Sequence, residues 1–498
     1  MNEKTRGIVI GTVVLAALGA TLGVMKLTGA DKVPGDSSSE TSVSSSEADE
    51  ESIPILEVGV NDITKVTVTN SQGGYTFEAA SASGKDNAYI DEIKGLSLSQ
   101  IKVNDVAGAL CNLSAYKLAE KGAEDLSKYG LTEPLSEIKI DFADGSTRTF
   151  CIGDKAHDDR YCYFCEKLSS DVYMVLTSVL EPYMKSKEQF IDCTLIAKTE
   201  DPSQNFGKLT LKRKDLDYDM VFETDDGSNE RSNADMPSAQ VMTEPIFSYL
   251  DGVESSDVIY SLYGLTAMSA EVVFPTDEQK TEYGMDDPNA VITFTGNGYD
   301  YTLTIGNEYH ETNEKGVEQS AVSAYYCTID GAEGKDCIWK VDASALPWMT
   351  LKPGDVITGL MTWNMVTDVA EFKVSGEENA DFALTSGKDG DRDVLESVKL
   401  DGKDADLDSF KGFYQFFLTC PTSEIVFEGA PEGDPYLTLE VVTNDGYTDK
   451  IELFRDTERR SIAKLNGRTC YRIQSKWTDR FLKNLDAVKN GGTVDQDY

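Results

Sequence analysis

Tyr129-Gly130-Leu131-Thr132-Glu133-Pro134 returns 154 residues later as Tyr283-Gly284-Met285-Asp286-Asp287-Pro288. The segments downstream of the two copies correspond as well. After Pro134 come an alternating run, Glu137 to Phe142, the pair Asp144-Gly145, and a second run into Ile152-Gly153-Asp154. After Pro288 come Ala290 to Thr295, Gly296-Asn297-Gly298, and a run into Ile305-Gly306-Asn307. The separations from Pro to Ile are 18 and 17 residues. Alternating runs around Asp-Gly and Asn-Gly turns signal β-hairpins. A third, degenerate copy starts at Pro435, with Leu437 to Val442, Asn444-Asp445-Gly446 and Lys450 to Phe454. It keeps the 18-residue spacing to Leu453 but has lost Tyr-Gly-Leu.

The pattern extends outward from these hairpins. Each copy is preceded by an extended pair: Ile63 to Thr69 with Tyr75 to Ala79, Lys208 to Arg213 with Tyr218 to Glu223, and Val369 to Val374 with Asp381 to Thr385. A helix-like segment comes after each pair. In the first unit it carries Val103, Val106, Leu110, Leu113 and Tyr116–Leu118, and in the third Phe410, Phe413, Phe416, Phe417 and Cys420. The second unit's counterpart is Pro245 to Tyr260, interrupted by Gly252. Thr276 followed by Gln279 fits a capping box, so Thr276 to Tyr283 is expected to be a short helix. Gly284 then ends it in the left-handed conformation and Met285 folds back, with Gly130 and Leu131 in the same parts. Each unit therefore reads as hairpin, helix and antiparallel meander. The expected class is α+β: tandem related units of antiparallel sheet with helices on one face, behind an N-terminal transmembrane helix.

That helix is read from Gly7 to Met25, nineteen residues without a charge. At about 1.5 Å per residue it spans roughly the hydrocarbon thickness. Lys4 and Arg6 precede it, which places the N-terminus in the cytoplasm and the rest outside. A cleaved signal peptide, with small residues at Thr28-Gly29-Ala30, is the competing reading, and the length of the apolar stretch favours an anchor. Asp36 to Ser52 is serine-rich and acidic, with Val43 and Ala48 its only apolar residues, and is expected to be a disordered tether. The organisation drawn from this is a cytoplasmic tip (1–6), a transmembrane signal anchor (7–27), a tether (28–53), unit one (54–197), unit two (198–361), a degenerate unit three (362–490) and a tail (491–498).

The Tyr-Gly-Leu-x-x-Pro signature, the Asp-Gly turn and the strand into Ile-Gly-Asp resemble a bacterial family known as a domain of unknown function, catalogue number four-three-four-zero. The resemblance covers the cores of units one and two well and that of unit three weakly. It implies a membrane-anchored protein whose gene often lies beside those of a gliding-type ABC transporter. No catalytic residue comes with it.

Charge narrows the partners. Asp and Glu number 87 against 46 Lys and Arg, a formal net charge of −41. Such a field repels a phosphate backbone, so nucleic acid is not expected as a partner. Adsorption to anionic lipid is disfavoured for the same reason. Basic peptides, cations and glycans stay open.

The chemistry-bearing residues each meet a plainer explanation. His157 and His310, the only two histidines, each sit five residues after the Ile of Ile-Gly, where unit three has Glu458. They read as loop residues in separate units. Cys162-x-x-Cys165 lies in a predicted strand, so its two side chains point to opposite faces, and no second pair completes a zinc site. Cys327 and Cys470 read as small buried residues on roughly corresponding strands. Nine cysteines leave at least one thiol unpaired in a monomer. Asp389, Asp391 and Asp393, and again Asp404, Asp406 and Asp408, begin like calcium loops. Val394 and Ser409 stand where Gly is needed, and Leu400 and Gln415 where the closing Glu belongs. No residue is assigned as catalytic, cofactor-binding or metal-ligating, and no cofactor is expected. The leading expectation is a non-enzymatic interaction or accessory protein of an envelope complex such as an ABC-type transporter. The alternatives are a cell-wall or glycan-binding surface protein and a hydrolase using acidic residues.

Overall fold

A computed structural model of the chain describes residues 52–157, 159–225, 238–313, 315–332, 334–422, 424–427, 431 and 433–497. The expected tip and anchor, and the tether up to residue 51, lie outside the described residues. Among those described, no helix is long and apolar enough to cross a membrane.

Three antiparallel sheets succeed one another along the chain, of eight, nine and nine strands. Each is centred on the hairpin that the repeat predicted. In the first, Ser136–Phe142 pairs with Thr147–Lys155. In the second, Ala290–Gly296 pairs with Tyr299–Tyr309. In the third, Leu437–Thr443 pairs with Thr448–Thr457.

The opening strands Ile63–Asn70, Phe206–Arg213 and Val369–Gly376 lie against the first strand of their hairpins. From each opening strand the chain steps outward to one edge of its sheet, through Tyr75–Glu78, Met220–Thr224 or Ala380–Asp389. It then crosses to lay a short strand at the opposite edge, Lys117–Glu120, Ser269–Val273 or Ile425–Val426. Only then does it return to form the central hairpin. The strand order is thus the same three times, apart from one strand fewer beyond the opening strand of the first sheet.

The crossing segments differ more than the sequence predicted. In the first unit the helix Gln100–Cys111 buries Val103, Val106, Ala107 and Leu110, and then stops. Leu113 belongs to a strand, Asn112–Ala115, paired with Ile53–Glu57, and Leu118 to the edge strand. In the third unit the helix Leu407–Phe417 holds Phe410, Phe413, Phe416 and Phe417 as expected, with Cys420 just past its end. The second unit corrects the reading: Pro245 to Tyr260 holds a two-residue edge strand, Ser248–Tyr249, and one turn of helix, Ser256–Ile259. The molecule therefore has antiparallel sheets and few helices.

The apolar core does not divide at the unit boundaries. One continuous cluster of buried side chains runs from Leu56 to Val488. The C-terminal helix Ser475–Asn490 adds Trp477, Phe481 and Leu485 to it, with Trp477 stacked on Phe416 at 5.8 Å. Residues 52–498 form a single compact body by their contacts.

Candidate functional site

Where the second sheet's edge strand Ser248–Tyr249 meets the third sheet, the surface folds into a cleft. Phe247, Ser248 and Tyr249 come from the second unit, Thr358 to Trp363 from the connection between units, and Tyr447, Asp449 and residues 465–471 from the third. It is a cleft of about 460 Å³, its open mouth included.

The walls are aromatic. Tyr249 meets Phe247 and Trp363 edge to face, at 5.7 and 5.0 Å. The exposed Arg468 lays its guanidinium over the Phe247 ring at 4.4 Å. Inside lies a carboxylate: Asp449 is 2% exposed. It accepts hydrogen bonds from the Thr362 hydroxyl at 2.7 Å and from the side-chain amides of Asn364 at 2.9 Å and Asn466 at 3.1 Å. A buried carboxylate is tolerable when donors converge on it in this way. Tyr414 fixes the network from behind, donating to the Asn364 carbonyl at 2.8 Å. Burial pushes the Tyr471 hydroxyl up to about 12, so it stays a donor at neutral pH.

Two further contacts clamp the junction. The Thr469 hydroxyl donates to the Phe247 carbonyl, and Thr422 donates to the Thr358 carbonyl at 3.0 Å. Tyr218 of the second unit stacks on Phe427 of the third at 5.0 Å. The cleft is thus a product of two units joined, not of either alone. A larger hollow along Gly84 to Gln100, about 870 Å³, is wide open and has Tyr89 as its only aromatic lining.

The residues singled out in the sequence lie elsewhere. His157 is exposed in a turn after the first hairpin. His310 lies at the end of its own hairpin, Nδ1 3.1 Å from the Ala321 carbonyl and Nε2 3.3 Å from Glu308. Cys162 faces the main core while Cys165 faces a small separate cluster, as strand parity requires. Cys327 and Cys470 are both buried but one strand apart in the repeat, since Cys470 lies on Thr469–Gln474, the counterpart of Cys337–Asp342. The aspartates have local duties. Asp389 and Asp391 flank Gly390 at a hairpin turn and Asp393 pairs with Lys388 at 2.9 Å. Asp406 caps its helix, accepting from the Ser409 amide at 2.7 Å. Among the described residues, no three His, Cys, Asp or Glu side chains gather as metal ligands.

The residues of the cleft were not singled out from the sequence. Asp449 alone carried a usable signal: it shares strand parity with the core residues Ile451 and Leu453, which puts a charge on the buried face.

Residues 89–265 match the model of a family described as Domain of unknown function (DUF4340). The match bears out the resemblance read from the first signature; it spans the first unit's hairpin and the second unit's opening, including Phe247 and Tyr249, and ends before the second signature at Tyr283. No curated protein and no solved structure matches the chain.

Proposed function

We propose that this protein is a non-enzymatic contact protein, held to a membrane by residues 7–25, whose extracytoplasmic body docks a partner of the cell envelope at the cleft between its second and third sheets. The observation that carries the reading is the cleft itself: five aromatic side chains and an arginine around a hydrogen-bonded, buried Asp449. Aromatic and arginine side chains dominate the energetics of protein contacts, while a carboxylate already satisfied by three donors favours a fixed shape over proton transfer. The partner class is a membrane subunit of an ABC-type transporter, the company that the family resemblance implies.

The test is affinity capture of the full-length chain after crosslinking in cells. Transporter subunits should come with the wild type and fall at least tenfold with Trp363→Ala or Arg468→Glu. Equal recovery with the cleft variants would refute the assignment.

Glycan binding is the second reading, favoured by one observation: Trp363, Tyr249 and Tyr447 line the same cleft as Asn466 and Arg468, and flat aromatic faces beside amide and guanidinium donors suit a sugar edge. Saturable binding to a purified wall glycan that Trp363→Ala abolishes would move the assignment there.

A further inference from the structure

The strands Thr147–Lys155 and Tyr161–Glu166 of the first sheet are covered differently on their two faces. Phe150, Ile152, Cys162 and Phe164 look into the main core. Cys151 and Cys165 look the other way, into a small apolar cluster with Ala123, Leu131 and Val172. The two cysteines are direct cross-strand partners in the sheet register. Among the described strand pairs, no other register position has a cysteine on both strands.

Residues directly opposed in an antiparallel pair have Cα atoms about 4.5–5.5 Å apart, and their side chains leave the sheet on the same side. Disulfides span Cα separations of roughly 4.4–6.8 Å. A directly opposed cross-strand pair therefore lies within the separations a disulfide can span. The neighbouring Cys165 thiol holds Cys151 below the ordinary thiol range, while Cys151, and then burial, push Cys165 up. One thiol of the pair is therefore primed to act as the nucleophile.

The repeat gives an internal comparison. The position equivalent to Cys151 and Cys165 holds Thr304 opposite Thr328 in the second sheet and Glu452 opposite Lys464 in the third. Each unit fills this cross-strand position with a self-matching pair, two hydroxyls in one and opposite charges in the other. In the first unit the matching pair is the one that can be oxidised.

We propose that Cys151 and Cys165 form a reversible disulfide across the first sheet, made by thiol–disulfide exchange with a small-molecule or protein disulfide. The Cys151 thiolate attacks one sulfur of the oxidant, forming a mixed disulfide and releasing the first thiolate. The Cys165 sulfur, losing its proton, attacks the Cys151 sulfur of the mixed disulfide and releases the second. One S–S bond forms in the protein and one breaks in the oxidant, which leaves as two thiols carrying the two electrons and two protons. The bond staples the strand that ends in Ile152-Gly153-Asp154 to its neighbour, beneath the Tyr-Gly-Leu turn.

The test uses the full-length chain in mild detergent, equilibrated in oxidised glutathione, then alkylated and mapped by mass spectrometry. A parallel sample is unfolded and refolded in the same buffer, which separates access to the buried pair from its geometry. The expected result, in at least the refolded sample, is a peptide pair joined through Cys151 and Cys165, two hydrogens lighter, with seven of the nine cysteines alkylated. Reduction should reverse it. The double variant Cys151→Thr/Cys165→Thr, copying the second unit, should fold and show no linkage. Full alkylation of Cys151 and Cys165 in both samples, or their linkage to other cysteines instead, would overturn the proposal.

Discussion

Gly153 and Gly306 explain why Tyr-Gly-Leu and Ile-Gly travel together. A Cβ on Gly153 would collide with the Tyr129 carbonyl and crowd Leu131, and one on Gly306 would collide with the Tyr283 carbonyl and Met285. The turn lies directly on the strand, and in the second unit the Asn307 amide donates to the Tyr283 carbonyl at 2.9 Å to hold it there. Gly130 and Gly284 adopt positive φ, 67° and 81°, and the adjoining Leu131 and Met285 return their amides to the preceding turn. These residues were legible because a left-handed turn needs glycine and because the spacing repeats. Gly153→Ala should lower the stability of the folded body by about 2 kcal/mol or more, read as a reduced midpoint in urea unfolding. Asp406→Ala should cost about 1 kcal/mol by the same measurement, with the capped helix frayed. The Cys151–Cys165 pair was hidden for the opposite reason. Its partners are matched by a strand register that the sequence does not fix, and Cys162-x-x-Cys165 offered a more familiar spacing whose members face apart.

At the level of elements, hairpins were easy to read and crossing segments were not. Alternation and a turn define a hairpin within twenty residues, whereas a helix between strands is decided by what it packs against. The third unit shows the favourable case: five aromatic side chains at helical spacing over Phe410 to Phe417, buried against Phe372, Phe382 and Phe481. Phe413→Ala should destabilise the body by about 3–5 kcal/mol, since its neighbours are rings that collapse poorly into a cavity. Pro245 to Tyr260 shows the unfavourable case. Its apolar residues are spaced well enough for a helix, but the chain there is drawn out to close the edge of a sheet and to offer Phe247 and Tyr249 to the next unit. Leu113 likewise left the helix because Ile53–Glu57 was available as a strand partner. Neither choice is written in local spacing.

Over the whole molecule, three similar sheets share one apolar cluster instead of standing as beads. Units buried against each other should lose structure together, so calorimetry of the full chain should give one main transition for the three sheets. Three separated transitions would mean that the junctions contribute little. The repeat, its central hairpins and the resemblance to the family matched at residues 89–265 were readable from the sequence. The cleft was not, because it arises where Phe247, Trp363 and Arg468, spread along the chain, are brought together by that packing. It also places an arginine at a rim of a chain whose net charge is −41, where a partner's acidic or aromatic group meets less repulsion than elsewhere. The most direct test of the cleft as the docking point is a photo-crosslinking amino acid placed in the full-length chain in its own cells, at Leu360 on the cleft rim and, as a control, at the fully exposed Leu168 of the first sheet. The account predicts a discrete adduct with a transporter membrane subunit from position 360 and none from 168. The same adducts from both positions, or none from 360, would contradict it.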